Sequence, residues 1–281
     1  MGYTISVMNQ PADHIQSFIN ASTTRDGPLT AVELSALFGF AVGLYLPGGI
    51  IGSLAAGFAS EHLGRKRTLI IGHVLAVIGS LLTFTATYSL TPEMIYIGRL
   101  LVGIKCGTAN CIVPMFLAEI VPCNLRGTLT TCHQLFITVG VFVASVLGLP
   151  QLFGSAQLWP CLFFVQLIPA VVAISVLPFF PESPRYLLFT RHNEEQALAA
   201  LAFYRCSTPD PVSEELASMY NEHNEHQVLV TESAMTPGMT STMTYLDLFR
   251  KRHLRRALVI SCTLQIIQQL SGINSIFFSR R

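Results

Sequence analysis

The sequence predicts an all-α integral membrane protein. Six apolar stretches are each long enough to cross a bilayer as helices. Charged residues make up only 12% of the chain, against about 25% in a typical soluble domain. Lysine and arginine also gather in alternate connections between the apolar stretches.

The elements follow in chain order. Residues 11–33 are expected to form an outer loop with Arg25 as its basic residue. This loop carries Asn20-Ala21-Ser22, which makes Asn20 a candidate glycosylation site. The first twenty residues lack a basic segment followed by an apolar core, so no cleavable signal peptide is expected. The expected spans are 35–58, 68–88, 94–117, 127–149 and 158–180, with a sixth over 257–278. Apolar character on all faces over such lengths favours membrane helices over soluble core helices.

The distribution of charge sets the direction. Arg65, Lys66, Arg67 and Arg126 fall in two short connections, and eight further basic residues fall in a long one. Alternation puts all three on one side, expected to be cytoplasmic. The opposite connections, 89–93 and 150–157, contain no Lys or Arg. Domain boundaries follow: 1–180 as a bundle, 181–256 as a cytoplasmic helical insert, and 257–281 as the first helix of a second bundle. Within the insert, 193–204 reads as an amphipathic helix with Glu194 and Glu195 in its first turn. Residues 213–224 read as a second, weaker helix and 231–244 as loop.

GxxxG pairs at Gly39/Gly43, Gly48/Gly52 and Gly103/Gly107 are expected to let helix backbones approach closely. The seven cysteines show no metal-type spacing and read as small buried apolar residues. His223 and His226 form HxxH without a convincing acidic third ligand, so they read as solvated surface. No cofactor, metal site or catalytic residue is expected, since no span presents a metal triad, paired carboxylates or a Ser-His-Asp set. The net charge of +1 gives no overall sign of nucleic-acid binding.

Polar groups inside spans are costly and mark function by default. Gln265, Gln268 and Gln269 lie at i, i+3 and i+4, on one helix face, with Ser271 and Asn274 beyond. Amides donate and accept without charge, which suits the hydroxyls of a neutral sugar. Hydrogen bonding between spans explains the same residues, and both readings stay open. His133 and Gln134 make a weaker case. At the basic ends of the spans, Arg65, Lys66, Glu119, Arg126, Glu182 and Arg185 can form ion pairs that hold one conformation closed, or can simply mark topology.

Several motifs bear a family resemblance. They are Leu63-Gly64-Arg65-Lys66, Gly98-Arg99, Pro114-Met115 with Glu119 through Gly127, His133-Gln134-Leu135, Leu158-Trp159-Pro160, Pro181 through Arg185 (PESPR) and Gln268 through Asn274 (QQLSGIN). Together they resemble the sugar porter family of the major facilitator superfamily, most closely the animal facilitative glucose transporters. The resemblance runs over nearly the whole chain. It implies two six-helix bundles joined by a helical insert, with the sugar held at mid-membrane between them and access alternating. It makes Gly2-Tyr3-Thr4 the end of span one and the six stretches spans two to seven. By matching position, Gln134, Ile137, Gln265, Gln268, Gln269 and Asn274 would contact a hexose. Arg65, Glu119, Arg126, Glu182 and Arg185 would form an ion-pair network favouring the outward-facing state.

Proton-coupled relatives carry Asp after the Gly-Tyr of span one, whereas Thr4 stands here, which implies facilitated diffusion over symport. Gln265-Ile266-Ile267 replaces the Gln-Leu-Ser of glucose-selective members and leaves glucose against fructose open. Lys105 sits in mid-span at a cost of roughly 2.5–3.5 kcal/mol, so it should face a cavity or an acid. The resemblance also implies a fragment or short isoform, inactive alone, in the plasma membrane. A half-bundle that associates with and regulates a full-length homologue is the alternative, as is a proton-coupled symporter.

Overall fold

In the computed structural model, residues 1–23, 30–122, 124–206, 212–221 and 252–270 are described. The chain divides into two units, Met1–Val212 and Ser213–Arg281. The regular elements among the described residues are helices, with no strand.

Five segments are long and apolar enough to cross a membrane: Ala31–Leu63, Arg65–Ser89, Glu93–Ile120, Arg126–Leu147 and Trp159–Phe179. They correspond to the first five expected spans. The first comprises α3 (Ala31–Gly43) and α4 (Tyr45–Leu63). The Thr30 hydroxyl and the Glu33 carboxylate form a reciprocal capping box that starts α3. The break at Leu44 has a local cause: Pro47 has no N–H to donate to the preceding turn. Leu46, Ile50, Leu54 and Phe58 recur every fourth residue of α4 and are exposed, a stripe suited to an apolar surround.

Gly64 (φ +93) separates α4 from α5 (Arg65–Ser89), in backbone geometry that a side chain would strain. Then come α6 (Glu93–Ile120) and α7 (Arg126–Leu147). The fifth span is split into α8 (Trp159–Val165) and α9 (Leu167–Val176), ending in a 3₁₀ turn at Leu177–Phe179. Pro169 removes an early donor of α9, and the buried Gln166 at the break donates to the Ser80 hydroxyl at 2.8 Å.

Lipid-like surroundings provide little hydrophobic drive for helices to associate, so close backbone packing must do it. Here it occurs between α4 and α6. A methyl group on Gly48 or Gly52 would strike the carbonyls of Leu100 and Ile104. One on Gly103 or Gly107 would strike those of Tyr45 and Gly49. Two of the three expected glycine pairs therefore form one seam. Gly39 and Gly43 do not join it, since nothing lies within 4 Å of where their side chains would be. A second close approach, Gly79 of α5 on Gly98 of α6, joins glycines on different helices and gives no GxxxG signature.

The expected outer loop holds a helix, α2 (Ala12–Thr23), preceded by the short α1 (Gly2–Ser6). Ile15 and Ile19, one turn apart on α2, are fully buried in a core with Val7, Met8, Trp159, Leu162 and Phe163. Phe18 meets Trp159 with ring centroids 5.9 Å apart. Asn20 lies in this helix, half-buried, while the Ser22 hydroxyl donates to the Phe18 carbonyl at 2.8 Å.

The insert begins with α10 (Pro184–Phe189) and α11 (Glu194–Arg205), the latter capped by Asn193 as its sequence predicts. Three hydrogen bonds dock these helices on the basic side. Tyr186 donates to the His62 carbonyl (3.1 Å), Tyr204 to that of Pro181 (2.7 Å) and Arg205 to that of Ile120 (2.7 Å). Burial, and secondarily the nearby Glu182 charge, push the Tyr204 hydroxyl up to about 12 from 10.0. Residues 212–221 form α12, matching the second expected insert helix. The expected loop at 231–244 and the His223/His226 pair lie outside the described residues. In the second unit, α13 (Arg252–Leu270) covers the first part of the sixth expected span, and the rest of that span lies outside the described residues.

The cysteines depart from expectation. Cys106 is buried, but Cys111, Cys206 and Cys262 are exposed. Cys123 lies outside the described residues.

Two outcomes test this packing. Gly107→Leu is expected to cost about 3 kcal/mol or more by overpacking, roughly a 6–12 °C fall in Tm of the detergent-solubilised chain, while Gly39→Leu leaves Tm unchanged. The raised Tyr204 pKa means the folded state favours the protonated phenol. Its stabilisation is complete below pH about 10 and is lost as pH rises through about 12. Tyr204→Phe should cost about 1 kcal/mol at neutral pH. The difference in Tm between wild type and this variant should shrink above pH 10.

Candidate functional site: a charged latch at the basic span ends and a polar seam in the bundle

The latch starts from one residue at each of three helix ends. Arg65 opens α5, Glu119 sits one residue before the end of α6, and Ser183 caps α10. The Arg65 guanidinium grips Glu119 through Nε (3.0 Å to Oε2) and Nη2 (2.8 Å to Oε1). The two side chains are only 14% and 11% exposed, so this forked pair is mostly withdrawn from water. The Ser183 hydroxyl, fully buried, donates to the same carboxylate and accepts from the Tyr186 amide. Glu119 thus ties the α5 terminus to the start of the insert. The Tyr186 ring lies under Arg65 (5.2 Å) and Arg191 (5.7 Å).

Glu182 plays a different part from the one expected. Its carboxylate accepts from the backbone amides of Arg65 (3.1 Å), Lys66 (3.0 Å) and Ser183 (3.0 Å). It caps the N-terminus of α5 from outside, where the helix dipole favours negative charge. Lys66 reaches along the same connection to the carbonyls of Pro178 and Phe180 (3.0 and 2.7 Å). Arg126 and Arg185 stand in the first turns of α7 and α10, and both interact with neighbours. Four of the six expected latch residues, Arg65, Lys66, Glu119 and Glu182, therefore meet directly. Only Arg65–Glu119 is a side-chain ion pair among them.

A second polar group lies within the bundle. Arg99 of α6 is 3% exposed. Its Nη1 donates to the Thr4 carbonyl at 3.0 Å, and its guanidinium lies 5.0 Å from the centre of the Tyr45 ring. Tyr45 donates to the Cys106 sulfur. Tyr3 donates to the Leu162 carbonyl (2.8 Å), and Ser6 meets Ser145 at 3.3 Å. These bonds anchor α1 to α6, α7 and α8. Close packing helps: a methyl on Gly2 would strike the Ile137 carbonyl, so α1 lies directly on α7.

The expected sugar contacts divide between the two units. Gln134 is exposed on α7, one turn before Ile137, whose carbonyl meets α1. Gln265, Gln268 and Gln269 belong to α13, and Asn274 lies outside the described residues. Lys105 lies on α6 with its side chain near where a Gly72 side chain would project. Among the described residues no acid pairs with it.

Sequence reasoning missed Arg99 as a site residue, although a charge inside an apolar run was the available signal. It also missed Tyr186 and Arg191, for which nothing in local spacing signals a shared ring.

Comparison with known proteins identifies the family. The family described as "Sugar (and other) transporter" matches residues 1–279. Human solute carrier family 2, facilitated glucose transporter member 3, is 37% identical over 279 residues, which is 99% of this chain and 54% of that protein. Mouse member 4 is 37% identical over 283 residues, covering 99% and 53%. A partially occluded, inward-open structure of the xylose transporter XylE from E. coli has a TM-score of 0.74 at 25% identity, covering 99% of this chain and 62% of that one. A structure of the major facilitator proton:xylose symporter XylE bound to 6-bromo-6-deoxy-D-glucose has a TM-score of 0.64 at 26% identity, covering 72% and 46%. The chain spans about half the length of the transporters it matches. By its sequence motifs, its multi-pass helical fold and these matches, the chain belongs to the sugar (and other) transporter family, a family of transporters and not of enzymes.

Proposed function

We propose that this chain serves facilitative transport of a hexose such as glucose by alternating access, in the plasma membrane. It would supply the first bundle, the insert and one helix of the second bundle. The observation that carries the reading is the latch. Alternating access needs a contact that is strong when closed and able to open. A largely buried ion pair at a helix end, bridged to the insert through Ser183, has those properties. Arg126 and Arg185 are assigned to the same network by position.

By matching position in the family, Gln134 and Ile137 of α7 and Gln265, Gln268, Gln269 and Asn274 of the sixth span are proposed to contact the substrate. Neutral amides suit a neutral polyol. The Arg99–Thr4 contact supports uniport over proton coupling. Arg99 is met there by a backbone carbonyl, which does not titrate, in place of a carboxylate. Half of the site would have to come from the second bundle, so the 281-residue chain is proposed to be inactive alone.

In proteoliposomes, the chain alone should give no saturable uptake of D-glucose above empty vesicles. Co-reconstitution with a C-terminal six-helix half from the human relative should give uptake selective for D- over L-glucose and indifferent to a pH gradient. Saturable uptake by the chain alone would refute the inactivity, and accumulation driven by a proton gradient would refute uniport.

The latch is tested separately. Arg65→Ala or Glu119→Ala leaves a largely buried charge without its partner and should destabilise the fold by about 3–5 kcal/mol. The double variant should cost clearly less than the sum of the two. Thermal melts of all four proteins measure the coupling, and additive losses would exclude it.

A further inference from the structure

Beside the latch lies a cavity of about 440 Å³ with an unbalanced charge. Lys66, Arg67 and Arg191 line it, with Glu182 as its acid and Leu63 and Leu187 among its apolar wall. Glu182 offsets one of the three positive charges and forms no side-chain ion pair with any of them. Its oxygens are taken up by the amides of Arg65, Lys66 and Ser183. Lys66 uses two protons on carbonyls and keeps a third. Arg191 donates through Nε to the Tyr186 hydroxyl and through Nη2 to the His62 carbonyl, which leaves Nη1 for another acceptor. Arg67 is exposed, and no carboxylate among the described residues pairs with any of the three.

We propose that this cavity binds a phosphate monoester carried on a small polyol ring. Three converging cations with unspent donors match a phosphate's acceptor oxygens. The volume lies within the range of small-molecule sites and exceeds what bare phosphate needs. The leucines offer a ring or glycerol unit an apolar wall. By the distribution of Lys and Arg, the site faces the anionic leaflet, where polybasic groups meet phospholipid headgroups. The same chemistry is found in an inositol lipid headgroup and in a soluble phosphorylated polyol. Such a ligand would bridge the α5 terminus to the insert, and its binding does not depend on the sugar reading.

The test uses the full chain in phosphatidylcholine nanodiscs. One arm adds phosphatidylinositol monophosphate to the discs, and the other titrates soluble myo-inositol monophosphate against neutral discs. Saturable binding in the first arm alone makes the source a lipid, and equal binding in both makes it the soluble phosphate. Either supports the site. Arg67→Gln, at an exposed position without contacts, should weaken binding roughly tenfold while leaving the ligand-free Tm unchanged. Arg191→Gln should weaken it similarly. Arg255→Gln, at an exposed arginine of α13, should leave the affinity as it was. Absence of saturation in both arms would overturn the proposal, as would equal weakening by Arg67→Gln and Arg255→Gln.

Discussion

The structure depends on the seam between α4 and α6. In an apolar surround, leucine gains little by touching leucine instead of lipid, so helices must be held by closeness and by polar bonds. Gly48, Gly52, Gly103 and Gly107 supply the closeness, each set against a carbonyl of the other helix. Once α4 and α6 are fixed, Thr108 donates to the Gly52 carbonyl across the same seam (3.2 Å). Gly79 and Gly98 then bring α5 onto the other side of α6. The bundle is therefore organised around α6. That helix also carries Arg99, which holds α1, and Glu119, which holds the insert.

The two ends of α6 answer different requirements. Arg99 is sealed within the bundle, and its fixed charge is met by a carbonyl and an aromatic face. Neither partner is an acid, which suits a permanent anchor. Glu119 lies at the basic end, where water could replace each of its partners if the contact opened in the proposed cycle. An apolar contact would hold the insert as well in the closed state, but opening it would expose apolar surface to water. A charged pair pays some desolvation when closed and regains solvation when open, which narrows the gap between the states. A gate that must cycle needs a narrow gap.

Much of this could be read from the sequence. Five spans were visible because backbone satisfaction in a bilayer forces long apolar helices, and the alternation of Lys and Arg was legible in the connections between them. The Gly48/Gly52 and Gly103/Gly107 pairs were legible because each repeats at one helical turn. Gly39/Gly43 shows the same spacing without a neighbour, since spacing describes a helix face and not what lies opposite. Helix α2 was hidden because Ile15, Phe18 and Ile19 form an apolar stripe too short to register as a span, in a segment otherwise polar. Arg65 and Glu119 were identified as partners in a network, and they meet. Glu182 was assigned to that network as an ion pair, but its partners are backbone amides, which carry no signature in sequence.

That last difference alters how the latch works. An acid paired to an arginine side chain contributes one contact, which rotamer changes can release. An acid accepting from the first amides of α5 caps a spanning helix, and those amides are among the donors that a helix start leaves unmet. Gly64 makes the approach feasible. Its positive φ turns the chain sharply, and any side chain there would strike the Glu182 carboxylate. The insert is thus bonded to the backbone start of α5 as well as to side chains at the mouth. A movement of the insert must uncap α5 at the same time as it strains Arg65–Glu119 through Ser183. The two events share one short segment, Glu182–Ser183, so neither can proceed far without the other. In the proposed transport cycle, this coupling would give a device built from a few hydrogen bonds the two-state character that a gate requires.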